Sequence, residues 1–138
     1  MRMRRTRAFR VALYSLAVSA LVVGCGGDGP TEPPEPQPQP GELKVAVASG
    51  TTIGGVVLTV TGPGISSPAA SGSARLYHEQ SGGVLHAVVI GASLSGEILR
   101  FTVPDVAQVA GYQVSLQEAT GTSNQSLSPA GVQLSVAP

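Results

Sequence analysis

Between Glu42 and Pro138, short apolar runs recur about every ten residues, the spacing expected of successive strands joined by tight turns. No other feature of the chain constrains its fold as much. The runs are Glu42–Ala48, Gly55–Thr61, Ala74–Glu79, Val84–Ile90, Glu97–Val103, Tyr112–Ala119 and Gly131–Ala137. In the first, Leu43, Val45 and Val47 alternate with polar or small residues, so they share one face of an extended chain. Gly, Pro and Ser punctuate the runs at Thr61-Gly62-Pro63-Gly64, Ser81-Gly82-Gly83, Ser95-Gly96, Pro104-Asp105, Gly121 and Ser128-Pro129. No segment carries an amphipathic helical pattern, and Val106–Ala110 has room for one helical turn. The expected fold is all-β, a single antiparallel β-sandwich of about seven strands. An up-and-down barrel is the alternative, and the long irregular stretch Ile65–Ser73 suits a sandwich better.

The chain before this domain is built differently. Gly26–Gly41 reads GGDGPTEPPEPQPQPG, with six of the eleven prolines. Proline lacks the N–H that helix and ladder need, so this stretch is expected to be an extended polyproline-type tether. An SH3-type ligand is the other reading of such composition, and a spacer is the simpler one. Further upstream, Met1–Arg10 carries five arginines and no acid, and Val11–Val23 is a continuous apolar run. Thirteen residues are too few to cross a bilayer as a helix, which takes about 20, but they match the apolar core of a secretory signal behind a positive start. Arg4-Arg5 lacks the aromatic and Leu of twin-arginine signals, which leaves the general secretory route.

Val22-Val23-Gly24-Cys25 resembles the lipobox of bacterial lipoprotein precursors. The resemblance implies diacylglycerol on the Cys25 thiol, cleavage before Cys25 and acylation of the new amino terminus. Several acyl chains are what make such an anchor durable, since one alone binds only marginally. The implied organisation is a signal peptide over 1–24, a lipidated Cys and Pro-rich tether over 25–41, and the sandwich over 42–138. Within the sandwich, Val109–Leu116 resembles the penultimate strand of immunoglobulin-like or fibronectin type III-like domains, with Tyr112 opening the strand at its corner. Gly121–Pro129 is similar to their long loop and Val132–Val136 to their last strand. A cohesin-like sandwich fits equally. The whole is similar to small, uncharacterised envelope lipoproteins, a likeness that implies no activity.

Charge excludes one class of partner. With the first ten residues removed, Lys44, Arg75 and Arg100 face eight acids, a net of −5, and nothing remains to cluster against phosphates. The single Cys allows neither an intrachain disulfide nor a thiolate metal cluster. His78 and His86 are the candidate metal ligands, on neighbouring strands of one hairpin. A four-residue loop Gln80–Gly83 would pair Glu79 with Val84, Tyr77 with His86 and His78 with Leu85. That places Arg75, Tyr77, Glu79 and His86 on one face, with Leu76, Leu85, Ala87 and Val89 on the other. The histidines then point apart, and no metal site is expected. Gly91-Ala92-Ser93-Leu94-Ser95-Gly96 approaches G-x-S-x-G but joins two strands as a hairpin loop, where a nucleophile elbow needs a helix to follow. Gly50–Gly55 and Gly62-Pro63-Gly64 lack the Lys of a phosphate loop and read as turns. Glu79, Glu97, Asp105 and Glu118 are scattered, and Phe101 and Tyr112 belong in the core. Arg75, Tyr77 and His86 are left as the candidate surface contacts.

These readings converge on a lipid-anchored protein of a bacterial cell envelope, periplasmic or surface-exposed. It is expected to have no enzyme activity and no cofactor, to bind a membrane through its anchor and an envelope protein through its sandwich, and not to bind nucleic acid. A sandwich that binds a small molecule or glycan is the alternative. The lipobox yields the first prediction: Cys25→Ser accumulates as unprocessed precursor or soluble protein in cell fractionation. A processed, membrane-bound Cys25→Ser chain would contradict the anchor.

Overall fold

A computed structural model of the chain describes residues 33–138; the leader, Cys25 and the first part of the tether lie outside that range. From Glu35 to Pro138 the chain forms one compact unit. Its strands are β1 (Gly41–Ser49), β2 (Ile53–Thr61), β3 (Ser66–Ala70), β4 (Arg75–Ser81), β5 (Val84–Leu94), β6 (Gly96–Val103), β7 (Gln113–Gly121), β8 (Ser126–Leu127) and β9 (Val132–Ala137). They form two antiparallel sheets, one in the order β3-β6-β1-β9 and one in the order β4-β5-β2-β7-β8. The β-sandwich expected from the sequence is present.

Alternation explains the two layers. Leu43, Val45 and Val47 of β1 are buried, as are Val56, Leu58 and Val60 of β2 and Leu85, Ala87 and Val89 of β5. Phe101, Leu99 and Ile98 of β6 close the core from the other sheet. Burial of both Ile98 and Leu99 breaks the period-two pattern, and a bulge accounts for it: Val45 pairs with Leu99 and Ala46 with Glu97, leaving Ile98 unpaired.

The strand order is that of a folded ribbon. β1 pairs with β9, β2 with β7, β3 with β6 and β4 with β5, four nested antiparallel pairs, and the curl of that ribbon adds β1–β6 and β2–β5. Consequently β1 and β2 lie in opposite sheets, whereas immunoglobulin domains keep their first two strands side by side.

The structure differs from the sequence reading in detail. There are nine strands where about seven were expected. β3 lies within the supposed irregular stretch, hidden because Ser66-Ser67-Pro68-Ala69-Ala70 has no apolar alternation. Its edge position tolerates Pro68, and its pairing with β6 shifts register between Ser66 and Ala69. β8 is a two-residue strand inside the supposed long loop. Gly91–Gly96 is not a hairpin loop: β5 runs through to Leu94, and Ser95 carries the chain over to β6 in the other sheet.

Two clasps hold the loops. In the first, the Tyr112 ring lies on Gly62, where any side chain would meet the ring, and its hydroxyl donates to Pro63 O at 2.6 Å. Tyr112 also tilts against Phe101, with ring centroids 6.0 Å apart. The Gly62 N–H donates to Gly83 O at 2.9 Å, so the β2–β3 loop is tied to the β4–β5 turn as well. The second clasp holds the end of the tether. Asp105 caps the 3-10 helix Val106–Gly111 by accepting from the Ala107 N–H, and it also accepts from the Gln39 N–H, while Val106 donates to Gln39 O.

Burial, and secondarily the nearby Asp105 carboxylate, push the Tyr112 phenol above its usual value. A phenol with a raised folded-state pKa contributes stability below its unfolded value and loses it as pH rises through the folded one. Tyr112→Phe should therefore cost about 1–2 kcal/mol at neutral pH through the orphaned Pro63 carbonyl. It should also flatten the fall in stability above pH ~10. Denaturant unfolding at pH 7 and at alkaline pH checks both. Equal stability of the two chains at pH 7 would refute the clasp.

Candidate interaction surface

The outward face of the five-stranded sheet is set by the hairpin that begins it. Ser81 pairs with Val84, so β4 and β5 are joined by the two residues Gly82-Gly83. Gly82 has φ +57°, the left-handed conformation that the first central residue of a II′ turn requires. The turn is thus tighter than the four-residue loop expected from the sequence. Glu79 lies opposite His86, His78 opposite Ala87 and Tyr77 opposite Val88. This corrects the expected pairing by two residues. A shift of two leaves every side chain on its original face.

Rows of side chains now run across the outer face from β4 to β7. One row is Tyr77, Val88, Val57 and Glu118. The next toward the turn is Glu79, His86, Thr59 and Ser115, with His86 Nδ1 and Thr59 Oγ1 3.1 Å apart. On the other side Arg75 lies opposite Ile90. Tyr77 is 58 % exposed and Ile90 46 %, the large apolar side chains most open to solvent among the described residues. With half-buried Val57 and Val88 they form an apolar strip bordered by Arg75, Glu79, His86 and Glu118. A shallow hollow of about 320 Å³ lies among Val57, Tyr77, Glu79, His86 and Val88.

The expected contact residues Arg75, Tyr77 and His86 thus share one exposed face. Glu79 shares it too, as the alternation of the hairpin implies, whereas Ile90 and Val57 join this surface only through the β4–β5 and β2–β5 registers. His78 and His86 lie on opposite faces of the hairpin, and no group of three or more His, Cys, Asp or Glu side chains is placed to hold a metal among the described residues. Val22, Val23, Gly24 and Cys25 lie outside the described residues. Asp105 is engaged in capping, and Glu97 accepts from the Ser71 hydroxyl at 2.5 Å. On the outer face of the other sheet, Lys44 lies directly opposite Arg100, with Glu42 and Glu97 on adjacent rows. Like charges placed so are unfavourable, and the two flanking carboxylates offset them.

No protein-family model matches the chain, and neither the curated proteins nor the solved structures contain a match to it.

Because Tyr77 and Ile90 are solvated and contribute little to the core, Tyr77→Ala and Ile90→Ser should each shift unfolding free energy by less than about 1 kcal/mol. Leu85→Ala, on the buried face of the same hairpin, should cost about 2–5 kcal/mol. Denaturant titration of the three variants checks this. A large loss at Tyr77 or Ile90 would give those side chains a structural role.

Proposed function

We propose that the chain is a lipid-anchored protein of a bacterial cell envelope whose sandwich serves as a non-catalytic interaction module. One observation carries the reading of the sandwich. Its most exposed large apolar residues, Tyr77 on the edge strand β4 and Ile90 on the adjacent β5, lie together on one sheet face. A solvated apolar strip rimmed by charge is the usual form of a protein-binding surface. The anchor rests on the leader and on the Val22–Cys25 lipobox. The clasp of Gln39 against Asp105 and Val106 supports a role for residues 25–41 as a tether with a fixed point of attachment to the domain.

A photoreactive residue placed at position 90 of the full-length chain, in its native envelope, tests the reading. The same residue at position 102, on the outer face of the other sheet, is the control. Position 90 should yield discrete protein adducts and position 102 should not. Absence of adducts at position 90, or equal adducts at both, would contradict the module.

A further inference from the structure

We infer that the partner of this face is a second copy of the chain, joined edge to edge through β4 about a two-fold axis at Tyr77. The inference rests on the interaction-module reading and names the partner within it.

The backbone of β4 is open on one side. The Gly62 N–H to Gly83 O bond continues the β2–β5 ladder through the odd-numbered residues of β5. The even-numbered residues Val84, His86, Val88 and Ile90 therefore direct their backbone groups at β4, because antiparallel residues alternate in the side they address. They meet Ser81, Glu79, Tyr77 and Arg75. Leu76, His78 and Gln80 are left with N–H and C=O groups pointing away from the sheet, as on any edge strand.

Two of the other three edges are blunted: β3 contains Pro68 and an irregular register, and β8 has two residues. The third, β9, is unbroken but carries no charged residue that would set a register with a copy of itself. β4 has seven residues, no proline and an unbroken register with β5. It has neither of the breaks seen in β3 and β8, and it carries charges of both signs.

Its sequence is complementary to itself. In a continuous sheet, paired residues must share a face, so odd-numbered residues of β4 can only meet odd-numbered residues of the partner's β4. Centring the pair on Tyr77 sets Arg75 opposite the partner's Glu79, Tyr77 opposite the partner's Tyr77, and Glu79 opposite the partner's Arg75. Leu76 and His78 of the two copies then exchange backbone hydrogen bonds. The three outward pairs fall at non-hydrogen-bonded positions, where Cα atoms approach to about 4.5 Å and side chains interact most. Sliding by one step in either direction sets Tyr77 against a charged residue and separates the opposite charges. The centred register also makes the Val57–Val88–Tyr77 row continuous with its copy across the axis. Copies sharing one surface need only modest affinity to pair.

The test uses the full-length chain, with Tyr77→Cys and Ser81→Cys variants oxidised and run on non-reducing gels. Both positions are exposed, and the wild-type chain, whose only thiol is Cys25, sets the background. Tyr77→Cys should cross-link as a dimer, because its Cα spacing across the axis suits a disulfide. Ser81→Cys should remain at background. Adding Arg75→Glu to Tyr77→Cys sets like charges opposite each other at two symmetric places and should lower the dimer yield about tenfold. Adding Glu79→Arg as well should restore it. Background yield from Tyr77→Cys, equal yield from Ser81→Cys, or no rescue by the double reversal would overturn the pairing. If Tyr77→Cys stays monomeric while position 90 still forms adducts with another protein, self-pairing fails and the module stands. If neither forms, both fail.

Discussion

The geometry of the functional face descends from the two glycines at the tip of one hairpin. Gly82 occupies a left-handed conformation that strains any residue with a Cβ, and it lets β4 turn into β5 within two residues. That turn fixes the register of β4 on β5, and β5 in turn is locked to β2 over eight paired positions. Register decides which side chains face solvent and which backbone groups remain unpaired at the edge. A loop longer by one residue would exchange the two faces, burying Tyr77 and exposing Leu76. The exposed strip, the free edge and the complementarity of Arg75 with Glu79 all depend on this connection.

A sandwich of nested pairs leaves its long connections to be secured by side chains. Tyr112 does this where the 3-10 helix, the β2–β3 loop and the hairpin tip converge, its ring over Gly62 and its hydroxyl on Pro63 O. The same residue contributes to the core through Phe101, so one side chain links loop geometry to packing. Tyr112 opens its strand as the corner tyrosine of immunoglobulin-like domains does, but its hydroxyl reaches a carbonyl 49 residues upstream, where the corner bond in those domains spans a few. Close by, at the other end of the 3-10 helix, Asp105 joins the tether to that helix's first turn.

Where apolar residues alternate, the sequence was enough to locate strands. Seven of the nine strands, the brief helical turn after Asp105 and the core positions of Leu43, Val45, Val47, Phe101 and Tyr112 were legible in this way. β3 and β8 were not, because neither has an apolar pattern of its own; each is extended because a neighbour, β6 or β7, offers it a ladder. The bulge at Ile98 was equally hidden. On the candidate surface, composition and alternation were enough to bring Arg75, Tyr77 and His86 to one face. Ile90 and Val57 belong there through long-range pairing, which no local pattern encodes. The hairpin shows the limit well: Ser-Gly-Gly marked a turn, yet whether two or four residues formed it depended on the backbone conformation of Gly82.

The backbone groups of β4 alternate between the β5 ladder and the open edge, and amide hydrogen exchange reads that alternation residue by residue. Exchange measured on the chain at low and high protein concentration should show Tyr77 and Glu79 protected at both, since their N–H groups belong to the β4–β5 ladder. Leu76 and His78 should exchange freely when dilute and become protected as concentration rises. Protection of Leu76 and His78 in the dilute chain, or free exchange at both concentrations, would contradict the open, self-pairing edge.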